Sequence, residues 1–150
     1  MATVIGGGDN GVIYGSSLKD RIYGGSGNDI IRGLGGDDRL IGESGRDRLV
    51  GGQGNDILTG DGSEDRAYRD VFVFGENAGR DAIMDFDVGK DILEIARGLN
   101  GIKSPADVID LARQKDGDVV IDLGGGNKLT LKNVDLDQLK KDPDDHFDIV

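Results

Sequence analysis

Aspartate recurs at Asp20, Asp29, Asp38, Asp47, Asp56 and Asp65, each nine residues after the last. Repetition makes these carboxylates equivalent, whereas acid–base catalysis needs two groups whose environments differ. Evenly spaced oxygen donors suit a cation instead. The chain has no Cys and a single His, His146, so zinc and iron–sulfur clusters lack ligands. Carboxylate and carbonyl oxygens select a hard ion of flexible coordination, which is Ca2+ ahead of the strictly octahedral Mg2+.

The aspartates belong to a longer period. Seven blocks of nine start at Gly6, Gly15, Gly24, Gly33, Gly42, Gly51 and Gly60. The sixth place is Asp in all but the first, where Gly11 stands. The eighth is apolar throughout: Ile13, Ile22, Ile31, Leu40, Leu49, Leu58 and Ala67. An internal repeat of this kind marks a solenoid. Places one to four are Gly-rich and make a tight turn with carbonyls free for a ligand. Places seven to nine alternate, as a short strand with its middle side chain inward does. Two blocks make one coil, and coils stack as parallel strands about 4.8 Å apart. The sequence therefore predicts an all-β fold, a right-handed parallel β-roll with two nonapeptides per coil. Stacking puts Asp29, Asp47 and Asp65 in one column and Asp20, Asp38 and Asp56 in the other. One short apolar column is too little to order so much Gly-rich chain, so a cation that binds only the folded state must complete the roll.

The formal net charge of -11 excludes nucleic-acid binding by bulk electrostatics. The 27 Gly have no Gly-X-Y period, which excludes collagen. No apolar run reaches membrane-span length, and no N-terminal signal peptide is expected. No His-Glu-x-x-His, nucleophile elbow or phosphate loop occurs, so a non-catalytic protein is expected. Residues 1–70 hold 18 of the 27 Gly and form the expected roll. Residues 71–150 read as a β-rich cap with one or two short helices. Strands are expected at 71–74, 82–86, 92–95, 119–123 and 128–131, the last two a hairpin. Ser104-Pro105 starts a helix running to about Gln114, and a second helix is expected at 136–141.

The blocks Gly24–Arg32 (GGSGNDIIR) and Gly51–Thr59 (GGQGNDILT) resemble the Gly-Gly-x-Gly-x-Asp-x-U-x nonapeptide of RTX, or haemolysin-type, calcium-binding proteins. The resemblance implies several Ca2+ ions, each held between two stacked turns by carbonyls and two Asp. One site takes Gly24, Ser26 and Asp29 with Glu43, Gly45 and Asp47. A second takes Gly33, Gly35 and Asp38 with Gly52, Gly54 and Asp56. A third takes Gly42, Ser44 and Asp47 with Asp61, Ser63 and Asp65. Asp20 pairs with Asp38 in a weaker site, because the first two blocks depart from the motif and read as an N-terminal cap. Residues 72–131 resemble the segment that follows the repeats in this family, where Asp81, Asp85 or Asp91 closes the last site.

The ending Asp145-His146-Phe147-Asp148-Ile149-Val150 is similar to the uncleaved C-terminal signals of type I secretion. The resemblance thus implies a monomeric extracellular calcium-binding module that folds on Ca2+ after export, with the type I secretion apparatus as its partner. The alternative is a non-catalytic module binding an acidic polysaccharide such as alginate, similar to those attached to mannuronan epimerases. Arg21, Arg39, Arg48 and Arg66 at place seven and Arg32 at place nine would then serve with Tyr14, Tyr23 and Tyr68. Against it, arginines there also simply offset the neighbouring Asp columns.

Overall fold

The computed structural model describes residues 1–62 and 68–150. Seven strands come from the nine-residue blocks and their N-terminal lead: β1 (Ala2–Ile5), β2 (Val12–Tyr14), β3 (Asp20–Ser26), β4 (Ile30–Gly35), β5 (Arg39–Ser44), β6 (Arg48–Gln53) and β7 (Ile57–Thr59). β8 (Val71–Phe74), β9 (Arg80–Ile83) and β10 (Ile92–Ile95) follow. The rest is α1 (Pro105–Leu111), β11 (Ala112–Lys115), β12 (Asp118–Gly124), β13 (Asn127–Leu131), α2 (Leu136–Leu139) and β14 (Phe147–Ile149). Successive strands of the roll go to opposite sheets. One sheet runs β1-β3-β5-β7-β9-β13-β12-β11, the other β14-β10-β8-β6-β4-β2. Parallel pairs set Ile22 beside Leu40, Ile31 beside Leu49 and Leu40 beside Leu58. Each step is two nonapeptides, as the repeat requires. This is a parallel β-roll.

The eighth-place side chains fill the space between the sheets. Ile22, Ile31, Leu40, Leu49 and Leu58 are completely buried. Ala67 lies outside the described residues, and Phe72 takes the next inward place, beside Leu49. The strands are longer than the expected triplets. β3 and β5 stay paired out to Ser26 and Ser44, so the first half of each turn is itself in the ladder.

Both sheets continue past residue 70. β8 adds to β6, β9 to β7 and β10 to β8, all parallel. β13 then joins β9 in parallel, and the antiparallel strands β12 and β11 finish that sheet. β14 is an edge strand, parallel to β10. Phe74, Ile83, Leu93, Ile95, Val108, Ile121, Leu131 and Leu139 extend the roll's apolar column into one core.

Two expected elements shift. α1 starts at Ser104 as the sequence indicates, with the Asp107 carboxylate accepting the Ser104 N–H at 2.9 Å. It ends at Leu111 rather than near Gln114. Ala112–Lys115 instead pairs with β12 across Asp116-Gly117, whose φ values of 50 and 85 make a two-residue hairpin turn. The strand expected at 82–86 sits at Arg80–Ile83, because Arg80 and Asp81 pair with Lys128 and Leu129. No helix among the described residues is long and apolar enough to cross a membrane.

Candidate metal centre

Each sixth-place aspartate is buried at the corner where a turn enters its strand. Asp20, Asp29, Asp38, Asp47 and Asp56 are all at most 2% exposed. One oxygen is used by the fold: Oδ1 of Asp38 accepts the backbone N–H of Asp20 at 2.7 Å, and Oδ1 of Asp47 accepts that of Asp29 at 2.8 Å. Asp56 Oδ1 accepts from Asp38 in the same way. The columns expected from the sequence are therefore hydrogen-bonded ladders, each rung one coil apart. The other oxygen is not used. Oδ2 of Asp29, Asp38, Asp47, Asp56 and Asp70 is buried without a hydrogen-bond partner. A buried carboxylate oxygen left unpaired is strongly unfavourable unless a cation or proton meets it. Asp20 differs, since its Oδ2 accepts both the N–H and the hydroxyl of Ser16, at 2.8 and 2.6 Å.

The turns bring the other expected donors together. Gly25 pairs with Glu43 and Ser26 with Ser44, so the turn at 24–27 lies against that at 42–45. Leu34 pairs with Gly52 and Gly35 with Gln53, which joins the second expected set. The Glu43 N–H donates to the Gly60 carbonyl at 2.8 Å, bringing the third set together as far as Asp61. Ser63 and Asp65 lie outside the described residues.

Glycine is demanded at two places for different reasons. Places two and four take positive φ, as in Gly25 and Gly27 or Gly52 and Gly54; Leu34 (φ 78) and Glu43 (φ 77) adopt it against their side chains' preference. Place one has no such φ. A Cβ on Gly33 would collide with Asp38 Oδ2 and the Gly51 carbonyl, and one on Gly51 with Asp56 Oδ2. The aspartate's free oxygen is thus packed against the first glycine of its own turn.

Burial dominates the electrostatics. Loss of solvent pushes Asp38, Asp47 and Asp56 up to about 6, with neighbouring carboxylates adding to it and the accepted N–H bonds opposing it. The same causes push Asp70 and Asp81 up to about 8 and Asp91 up to about 6. The Ser16 hydroxyl and the Ala2 N–H hold Asp20 below the usual carboxylate range. Among the described residues no three His, Cys, Asp or Glu side chains converge as a metal cluster. The oxygens available to a cation are therefore paired aspartates plus turn carbonyls, a donor set that fits Ca2+.

Both ladders outrun the regular repeats. Asp47 N–H donates to Asp70 Oδ1 at 2.9 Å, Asp56 N–H to Asp81 Oδ1 at 2.8 Å, and Asp70 N–H to Asp91 Oδ1 at 3.0 Å. The rung after Asp47, expected of Asp65, belongs to Asp70. Asn77 (φ 60) and Gly79 (φ 83) repeat the positive φ of places two and four. Gly79-Arg80-Asp81-Ala82-Ile83 and Gly89-Lys90-Asp91-Ile92-Leu93 have the form of Gly45-Arg46-Asp47-Arg48-Leu49. Extra residues between them break the nine-residue period and hide these two repeats. The ladder through Asp81 stops where Leu129, completely buried, stands beside it. Place five, which the repeat motif leaves open, makes a second rung: Asn28 Oδ1 accepts the Arg46 N–H, Asp37 Oδ1 the Asn55 N–H and Asn55 Oδ1 the Arg80 N–H.

Comparison with known proteins gives the same repeats. The family model of the RTX calcium-binding nonapeptide repeat (four copies) matches residues 5–40, 14–49 and 41–69. The chain carries RTX repeats. The RTX repeat is a structural calcium-binding module, and in this chain the repeats build the roll that holds the aspartate ladders. Among solved structures the chain is similar to the extracellular lipase LipA from Serratia marcescens, at 19% identity and a TM-score of 0.51. That alignment covers 99% of this chain and 40% of the lipase, so the likeness is one of fold over less than half of the longer protein. The AlgE6R3 subunit of the Azotobacter vinelandii mannuronan C5-epimerase aligns over 96% of this chain and 80% of its own, at 22% identity and a TM-score of 0.37. No curated protein matches.

Proposed function

We propose that the chain is an extracellular RTX module whose roll folds when Ca2+ binds between its coils, after export by a type I secretion apparatus. The observation that carries this is the set of five buried, unpartnered Oδ2 atoms on the ladders. The ions would be held by Gly24, Ser26 and Asp29 with Glu43, Gly45 and Asp47, and by Gly33, Gly35 and Asp38 with Gly52, Gly54 and Asp56. A third set is Gly42, Ser44 and Asp47 with Asp61 and Asp70. A fourth extends to Gly51, Gln53 and Asp56 with Asn77, Gly79 and Asp81. Calcium supplies the positive charge that lets ionised carboxylates stay buried, and it binds the folded state alone. A cytosol poor in Ca2+ would leave the roll unfolded for export. Calorimetric titration of the chelated chain should show several Ca2+ per chain, with Mg2+ a poor competitor; absence of binding heat contradicts the reading. Coexpression with a type I exporter should place the chain in the medium, and retention in the cells speaks against that route.

One observation favours binding of an acidic polysaccharide as a second role. Arg21 and Arg39 are neighbours on β3 and β5 and have no ionic partner among the described residues. Arg48, by contrast, is taken up by Glu94 through two bonds of 2.7 and 2.6 Å. Arg66 lies outside the described residues. Alginate oligomers should bind the calcium-loaded chain in a salt-sensitive way and lose affinity with R21A/R39A. Equal binding by that variant removes the second role.

A further inference from the structure

The two ends of the roll are finished differently. At the C-terminal end the edge strands carry charges: Arg113 and Lys115 on β11, Asp148 on β14. Charged side chains on an edge discourage another strand from pairing with it. At the N-terminal end the edges are β1, Ala2-Thr3-Val4-Ile5, and β2, Val12-Ile13-Tyr14, with no charge on either. Residues 1–18 contain one charged side chain, Asp9, in a chain with 18 basic and 29 acidic residues. Five of the ten exposed large apolar side chains among the described residues lie in this stretch: Met1, Ile5, Val12, Tyr14 and Leu18, each at least half exposed. Val4 and Ile13 close the inward column there and are only half-buried, whereas Ile22 and Ile31 behind them are fully buried.

The aspartate ladders also stop at this end. Ala2 and Gly11 occupy the places of Asp20 and Asp29 and donate their N–H groups to those carboxylates at 2.8 and 2.7 Å. Neither has a carboxylate to offer a coil stacked in front of it. Another coil of the same kind would find no rung.

We propose that this end face pairs with the same face of a second copy. Two copies of a chain with net charge -11 repel each other over most of their surface. The N-terminal face, where Asp9 is the one charged side chain of residues 1–18, is the apolar exception, and it complements itself. A two-fold axis across the roll sets β1 and β2 antiparallel to their counterparts, continues both sheets and buries Val4 and Ile13. The contact is isologous and closes at two copies, since the charged C-terminal edges block further addition. It departs from the monomer expected of the sequence. Two short strands per copy give a contact below the roughly 800 Å2 per partner of a standard stable interface, so the dimer is weak and concentration-dependent.

Sedimentation velocity of the full chain in calcium, over a concentration series, tests this. The native chain should pass from monomer to dimer and no further. T3K/V12K should weaken the dimer at least about tenfold, and I5K alone, at a residue 74% exposed, should weaken it in the same direction. Each variant's calcium-induced circular dichroism is checked against the native chain. K115Q, at an exposed position on the opposite edge, should leave the dimer unchanged. A chain that is monomeric at every concentration, a dimer indifferent to the lysines on β1 and β2, loss of the dimer in K115Q, or open-ended assemblies would each overturn the proposal.

Discussion

Asp56 and Asp81 are 25 residues apart, yet the Asp56 N–H donates to Asp81 Oδ1 at 2.8 Å, the same bond that Asp38 N–H makes to Asp56 Oδ1 eighteen residues along. The ladder therefore measures position by stacking and ignores the extra chain between. It runs on through Asp70, Asp81 and Asp91.

Substitution of the rung residues follows from this. Asp70→Asn and Asp47→Asn should each raise the calcium midpoint for folding strongly, because each removes a buried carboxylate shared between stacked turns. Asp20→Asn should have a smaller effect, since Ser16 already satisfies its second oxygen. Calcium titrations followed by circular dichroism rank them, and a midpoint for Asp20→Asn above that for Asp70→Asn contradicts the ladder's path.

The turn glycines give changes of opposite sign. Gly51→Ala puts a methyl into Asp56 Oδ2 and should destabilise the calcium-loaded fold by about 3 kcal/mol or more. Leu34→Gly relieves a positive φ at a half-exposed side chain and should stabilise it by about 1 kcal/mol. Urea denaturation at saturating calcium measures both. A neutral Gly51→Ala would mean that Asp56 does not pack against its own turn.

Much of the roll was legible in the chain because its period is strict. The columns of Gly, Asp and apolar residues fix strand register, inward face and ladder together, and the turns of the first two expected sites lie side by side. Legibility fails where insertions enter. Asp70, Asp81 and Asp91 follow their predecessors by 14, 11 and 10 residues, so a search in steps of nine passes over them, although Gly-x-Asp-x-apolar persists at the last two. The end of α1 at Leu111 has another cause. Ala112–Lys115 has helical propensity, but hairpin pairing across Asp116-Gly117 satisfies its backbone and wins.

Acid should substitute in part for the metal. In the unfolded chain these carboxyls ionise near the ordinary value of about 3.9. In the fold, burial keeps Asp38, Asp47, Asp56 and Asp91 protonated to about 6 and Asp70 and Asp81 to about 8. The metal-free fold binds more protons than the unfolded chain, so this stabilisation is fully present below about pH 4 and is lost as pH rises through 6 and then 8. Thermal melts in chelator should show more structure near pH 5 than near pH 8. With calcium the order should reverse, because the ion needs the carboxylates deprotonated. Metal-free stability that rises with pH contradicts the burial of these groups.

Completion of the fold by calcium is open to one direct measurement. Far-ultraviolet circular dichroism of the full chain at neutral pH, first in chelator and then across added Ca2+, tests it most directly. The roll should be largely unfolded in chelator and gain strand signal cooperatively as calcium approaches millimolar, while the same concentration of Mg2+ does little. Identical spectra with and without calcium would contradict it.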